Sequence, residues 1–397
     1  MTYELDRGTT EVSWPATAFP IPVAINRAAA QNLPAGEALI RGAFDSWEGV
    51  EASVVAFRHT GLTDAKAGRD GINVVAINDS LFETSGFLAY TTTWFDDKTG
   101  QMREVDIQID SSVTKKGVGL QTLIQHEIGH LLGFDHSGVI SSVMYPWVGP
   151  DDAGGFDSDD RIGLSAAYPA AGKLAKPSLR GEVRLPGGGV FGAQVVAMDA
   201  HGAVSSALTR KDGSFEILGL PPGTYRLYAE PLDGPVKGSD LSGIWRSGTE
   251  TGFRTAFSDP IEVGLESEID GISLSVTNLP SDLNPRWVSA FAPGSSSIRM
   301  SSNAVTVKAG SRVSIAVGGD GFVSGLTEFE VLNLAFRRVS EFTYATNFMH
   351  AEFEIAPTAK SCSAVIVARN GSDSAALTGA LRVAEASAGG RGRAVRR

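Results

Sequence analysis

Between positions 126 and 136 the chain reads His126-Glu127-Ile128-Gly129-His130-Leu131-Leu132-Gly133-Phe134-Asp135-His136. The spacing predicts a helix that ends abruptly. Four residues apart on a helix, His126 and His130 project from one face, one turn above the other. Two neutral imidazoles so placed can bind one zinc ion at about 2.0–2.1 Å each. Glu127 then faces the same centre without taking a coordination position. Gly133 permits a left-handed exit from the helix that a Cβ would resist, and this turn swings His136 back as third ligand. The position left open is what a catalytic zinc requires. A bare H-E-x-x-H also occurs in unrelated helices, and a lone His on an apolar face is ordinarily a core residue. Gly133, His136 and the following Ser142-Val143-Met144-Tyr145-Pro146 favour a metal centre over that plainer reading.

At these residues the sequence resembles the metzincin clan of zinc metalloendopeptidases and, within it, the matrixins. Ser137 after the third ligand is similar to the matrixin choice, where astacin-type enzymes tend to have Glu, serralysins Pro and the reprolysin branch Asp. Met144-Tyr145-Pro146 resembles the matrixin Met-turn. With Pro146 at the position where astacins and serralysins place a zinc-contacting Tyr, no fifth protein ligand is expected. The resemblance implies that Met144 forms an apolar floor beneath the imidazoles, which is nearly the same statement as an ordinary buried Met in a turn. It further implies that Gly133, Met144 and Pro146 support the site and that Tyr145, Trp147 and Val148 border a pocket. The Tyr common in that wall is replaced by Val148, so pocket depth is open. No second, structural zinc is expected, because only His59 lies in the part of the chain where its ligands would fall. No inhibitory Cys precedes the motif.

The 42% hydrophobic and 20% charged residues are those of a globular protein, and 397 residues suggest two to four domains. No run approaches the ~20 apolar residues of a membrane span. Met1-Thr2-Tyr3-Glu4-Leu5-Asp6 lacks the basic start and apolar core of a signal peptide. The chain reads either as cytoplasmic or as the mature form of an exported protein, and its modular build favours the second. The single Cys362 excludes an intramolecular disulfide framework. Residues 1–171 hold 11 basic and 23 acidic residues, a net −12, whereas the remainder is close to neutral. So acidic a front domain argues against nucleic acid as partner. A monomer is expected.

Residues 1–171 read as mixed α and β. Strands are expected at 22–26, 53–59, 72–78, 87–94 and 102–110, and helices at 35–48, from about 118–120 through the motif, and at 159–167 with Ser158 as N-cap. The economical arrangement is a mixed, twisted sheet packed on long helices, the α+β zincin fold that the resemblance also implies. Gly86-Phe87-Leu88-Ala89-Tyr90-Thr91 resembles the matrixin edge strand, which would hold an extended peptide as one more strand through backbone contacts at Leu88 and Ala89. An interior strand touching no ligand is the plainer alternative. Asp151, Asp152, Asp157, Asp159 and Asp160 offer calcium ligands or, more ordinarily, helix capping and solvation.

A linker is expected at 170–177, after which helix signals nearly vanish. Residues 178–277 resemble carboxypeptidase regulatory-like domains, small prealbumin-type β-sandwiches, through Gly192-Ala193-Gln194-Val195-Val196-Ala197, Asp212-Gly213-Ser214-Phe215 and Leu220-Pro221-Pro222-Gly223-Thr224-Tyr225. Turn signals at such spacing favour a sandwich independently. Residues 234–257 read as a Gly/Ser-rich insertion with Trp245 exposed. Residues 283–385 form another all-β unit, weakly similar to immunoglobulin-like modules of the IPT kind, and 386–397 a basic flexible tail. The fold class is thus a multidomain chain, an α+β zincin domain followed by two all-β sandwiches. His201 and His350 are isolated and read as structural or surface residues.

Function follows from these residues as an expectation: a secreted zinc-dependent metalloendopeptidase with Glu127 as general base. Two other classes stay open. One is a surface adhesion protein whose zinc module no longer cuts, against which intact Glu127 speaks. The other is a zinc hydrolase of a non-peptide bond.

Overall fold

The computed structural model describes residues 3–4, 11–82, 87–149, 155–171 and 177–384. A five-stranded sheet organises the first module: β1 (Ile21–Asn26), β2 (Phe57–Thr63), β3 (Val74–Ile77), β4 (Ala89–Phe95) and β5 (Met102–Ile109), in the spatial order β2-β1-β3-β5-β4. The first four strands of that order run parallel, and β4 closes one edge antiparallel to β5. Both β1 and β5 are buried almost throughout, as strands covered on both faces must be. Against the sheet pack α1 (Gly36–Glu48) and α2 (Leu120–Leu131), and α3 (Ser158–Ala167) closes the module. Ile40, Ala43, Phe44 and Trp47 form the buried stripe of α1, and the Trp47 indole N–H bonds the Gln125 carbonyl of α2 at 2.9 Å.

Three local readings need correction. The strand expected at 53–59 begins only at Phe57. Residues 53–56 pair instead with the chain returning from α3, through a Ser53–Pro169 bridge and a Val54 N–H to Tyr168 carbonyl bond of 2.9 Å. A short helix, Arg27–Asn32, follows β1 because Asn26 caps it, its side chain accepting from Ala28 N–H. The cap of α3 is Asp157, not Ser158: Asp157 and Asp160 form a reciprocal capping box.

Each β unit has a sheet of its own. In the first, Ser214–Leu218, Pro177–Leu185 and Ile269–Ser275 lie side by side, and in the second Asn284–Phe291, Arg312–Asp320, Phe348–Ile355 and Phe336–Arg338 do. The sheets that face these two are not separate. Gly202–Leu208 meets Cys362–Asn370 at the Ala203–Ser363 pair, so one nine-stranded sheet runs through both units. Val196, Met198 and Tyr228 pack with Val365 and Val367 across that joint. The two all-β sandwiches expected from the sequence thus share a sheet.

Nor is the first module loosely attached. Ile140 N–H bonds the Thr378 carbonyl at 2.9 Å, and Arg382 donates to the Ser141 carbonyl at 2.6 Å. Ile140 and Tyr145 sit in the same apolar cluster as Leu208, Leu232, Val288 and Leu377. The residues expected as linker at 172–176 and the tail at 386–397 lie outside the described residues. Among those described, no helix is long and apolar enough to cross a membrane.

Candidate metal centre

Helix α2 carries His126, Glu127 and His130, and all three are buried or nearly so. The helix ends as the spacing requires. Gly133 has φ +94°, and a Cβ there would also overlap the Val12 carbonyl, so this position needs glycine twice over. After the turn His136 faces back, and one ring nitrogen from each of the three histidines lies within 4.8 Å of the others. The Nε2 atoms of His126 and His130 are 3.1 Å apart.

The other nitrogen of each ring fixes what those atoms are. His126 Nδ1 is 2.8 Å from the Val143 carbonyl, His130 Nδ1 is 2.8 Å from the Phe134 carbonyl, and His136 Nδ1 meets the Asp240 carbonyl. A carbonyl only accepts, so each Nδ1 carries a proton, which leaves the lone pair of a neutral His126 or His130 ring on Nε2. Burial pushes His126 down to about 3 and His130 well below its ordinary value, with the neighbouring histidines adding to the effect. The His126 and His130 imidazoles stay neutral near pH 7. Facing lone pairs at such separation repel unless a cation lies between them, and the donor set is therefore suited to a metal ion. Three imidazole nitrogens in this arrangement fit zinc.

Beside them, burial raises the Glu127 carboxyl to about 7, against the opposing effect of a hydrogen bond from Thr91. The Thr91 hydroxyl donates to Glu127 Oε2 at 2.6 Å. Thr91 stands on β4 and was not singled out from the sequence. The available signal was its place two residues beyond Ala89, on the same side of the strand.

Strand β4 is a sheet edge, and among the described residues nothing pairs with its outer side. Of the two expected backbone contacts, Leu88 has its carbonyl engaged by Asp110 N–H at 3.0 Å. Strand alternation turns the N–H and C=O of Ala89 the other way, toward the open side. Ala89 and Thr91 are the edge groups offered to an added strand.

Met144 is 4% exposed and lies against α2 at Gly129, where a Cβ would collide with its Sδ. Gly129 thus has a packing role that the motif's free position did not reveal. Trp147 is 44% exposed, and Val148 packs on the first module's core while Pro146 remains half-buried. Tyr145 departs from expectation: it is 2% exposed and its hydroxyl donates to the Ser302 carbonyl at 2.8 Å. Its ring fills the apolar seam between modules rather than bordering a substrate.

The calcium reading also gives way where it can be seen. Asp157 accepts from the Ser141 hydroxyl, Asp159 from the Ser137 hydroxyl and Ser206 N–H, and Asp160 from Val143 and Asp157 N–H. These carboxylates bind donors of the protein itself, and the histidine triad is the one metal-type cluster among the described residues. Asp151 and Asp152 lie outside those residues.

Residues 25–169 match the family model of matrixin, Peptidase_M10. This part of the chain is a matrixin-like catalytic domain. Over 36 residues it is 53% identical to karilysin of Tannerella forsythia, a stretch that covers 9% of this chain and 8% of that protein. The chain thus spans only a small part of that relative's length. Among solved structures, fervidolysin of Fervidobacterium pennivorans, a keratinolytic enzyme related to subtilisin, aligns with 54% of this chain and 31% of its own at 12% identity and a TM-score of 0.18. Titin domains Z1Z2 in complex with telethonin align over 54% and 95% at 14% identity and a TM-score of 0.16. The resemblances seen in the sequences of the β units remain expectations.

Proposed function

We propose that this protein is a zinc-dependent metalloendopeptidase that cleaves extended protein substrates outside the cytoplasm. The observation that carries the reading is the convergence of three imidazoles, oriented by backbone carbonyls, beside a buried carboxyl. The matrixin match over the same residues supports it. His126, His130 and His136 would hold the ion. Zinc bound there supplies Lewis acidity, polarising a carbonyl and bringing the pKa of water toward about 7.

The chain's own groups do the rest. The open side of β4 orients a peptide by main-chain hydrogen bonds through Ala89 and Thr91, which suits substrates of varied sequence. Glu127 accepts the proton of the attacking water and delivers it to the leaving amine, a general acid–base role. The Thr91 hydroxyl holds Oε2 and leaves Oε1 for that transfer. Exposed Trp147, with Val148, borders a substrate side chain.

The test is incubation of the purified full chain with an unstructured protein, with and without chelator, followed by zinc readdition. Expected are internal cuts that stop on chelation and return with zinc. A protein that binds zinc but cuts nothing would leave the adhesion reading standing, and activity confined to ester or amide substrates without peptide bonds would favour the non-peptide hydrolase.

A further inference from the structure

The third histidine is held from outside its own module. The residues that hold it, 237–242, follow the strand Gly223–Glu230 of the first β unit and belong to the stretch expected to be a loose insertion. They are firmly seated. Val236, Leu241, Ile244 and Trp245 are all buried, in one apolar cluster with Ile140 and Tyr145 of the first module. Trp245 is 4% exposed, contrary to expectation, and its indole N–H bonds the Thr209 carbonyl at 3.1 Å. Within the strap, the Asp240 carboxylate accepts from Lys237 N–H at 2.9 Å and Leu241 N–H bonds the Gly238 carbonyl at 3.1 Å.

From this anchored strap two backbone groups reach consecutive residues of the metal motif. The Asp240 carbonyl accepts from His136 Nδ1. Ser242 N–H donates to Asp135 Oδ2 at 2.6 Å, while Oδ1 of the same carboxylate accepts His136 N–H at 2.8 Å. Ring and backbone of His136 are thereby both fixed by the strap, one directly and one through Asp135. His126 and His130 draw the equivalent support from Val143 and Phe134 of their own module.

We propose that residues 238–242 are a positioning element of the metal centre, so that the zinc site of this chain is completed by its second module. The inference rests on the metalloprotease reading and adds to it. An acceptor on the far nitrogen sets tautomer, ring orientation and basicity of a ligating imidazole, and losing one typically costs about 10–100-fold in metal affinity. The strap supplies that acceptor for one ligand of three.

Three variants of the full chain test this by zinc competition titration, by the visible spectrum of the cobalt(II)-substituted protein and by thermal unfolding. Ser242→Pro deletes the N–H that reaches Asp135 and leaves every other strap side chain in place. Asp240→Gly removes the carboxylate that shapes the turn. Leu274→Ala weakens the same β unit in its own core, where Leu274 is 2% exposed, away from the motif. Expected are a zinc Kd raised about 10–100-fold and shifted cobalt bands in both strap variants. Leu274→Ala should lower Tm and leave Kd and spectrum as in the wild type. Strap variants with wild-type Kd and bands would overturn the inference, as would Leu274→Ala changing them equally. A wild-type chain that binds no zinc would instead overturn the metalloprotease reading, and this inference with it.

Discussion

The two halves of the metal centre are built differently. His126 and His130 sit on one helix, are buried, and lean on carbonyls 17 and 4 residues away in sequence. His136 lies beyond the helix, half-buried, and leans on a carbonyl 104 residues away in another module. The inner half follows from local geometry, because one helix places both rings. The outer half depends on how modules dock. A metal site can thus be local in its ligands and long-range in its support.

The largest expected effect separates holding the ion from using it. Glu127→Gln should bind zinc with wild-type affinity yet lose about 10²–10⁴-fold in kcat, the usual contribution of a general base. Single-turnover cleavage with zinc quantified in the same sample checks it, and wild-type turnover would remove Glu127 from the mechanism.

The inner half breaks through packing. In Gly129→Val the new side chain must displace Met144 and crowd Trp47, at about 1–3 kcal/mol. Urea unfolding should show a lower midpoint with an unchanged slope. A neutral result would mean that Met144 relocates without cost.

An effect of similar size is expected at the carboxyl between the halves. Thr91→Val removes a hydrogen bond to Glu127, worth about 1.5–3 kcal/mol if the carboxylate is charged. The loss should appear as a fall of about tenfold or more in kcat at unchanged zinc affinity. Thr91→Ser should restore most of it. Equal loss in both variants would point to strand packing rather than the hydroxyl.

The smallest effect concerns the joint from which the strap departs. Buried Glu230 accepts from the Thr378 hydroxyl at 2.7 Å, and burial raises its carboxyl from 4.5 to about 8. The folded chain then keeps a proton that the unfolded chain releases above 4.5, so this stability is complete below that pH and is lost as pH rises toward 8. Asp160, raised to about 7, acts in the same direction. Glu230→Gln should flatten the fall of Tm between pH 4.5 and 8 and raise Tm by a few degrees at the alkaline end. An unchanged slope would show that other groups set it.

What could be read from the sequence follows the same division. The ligands, Glu127, the helix stop at Gly133 and the edge position of β4 each leave a mark in residue type or spacing. The Asp240 carbonyl leaves none, since every residue has one. Tyr145 sat in a recognisable motif, yet its side chain went to the apolar seam that docking creates. Trp245 looked exposed because its neighbours are Gly and Ser, residues that here let two tight turns bury it. The shared nine-stranded sheet was equally silent, because the Ala203–Ser363 pair joins strands 160 residues apart in sequence.

The bonds linking Ile140, Ser141, Tyr145 and Trp147 to Thr378, Arg382, Ser302 and Asn303 bear on how the molecule reaches its targets. A blade on a flexible tether sweeps out volume and cuts whatever it meets. Under the proposed activity the segment beside the metal centre is bolted to the distal unit, so a surface gripped at that end would fix the angle at which a polypeptide is offered for cutting.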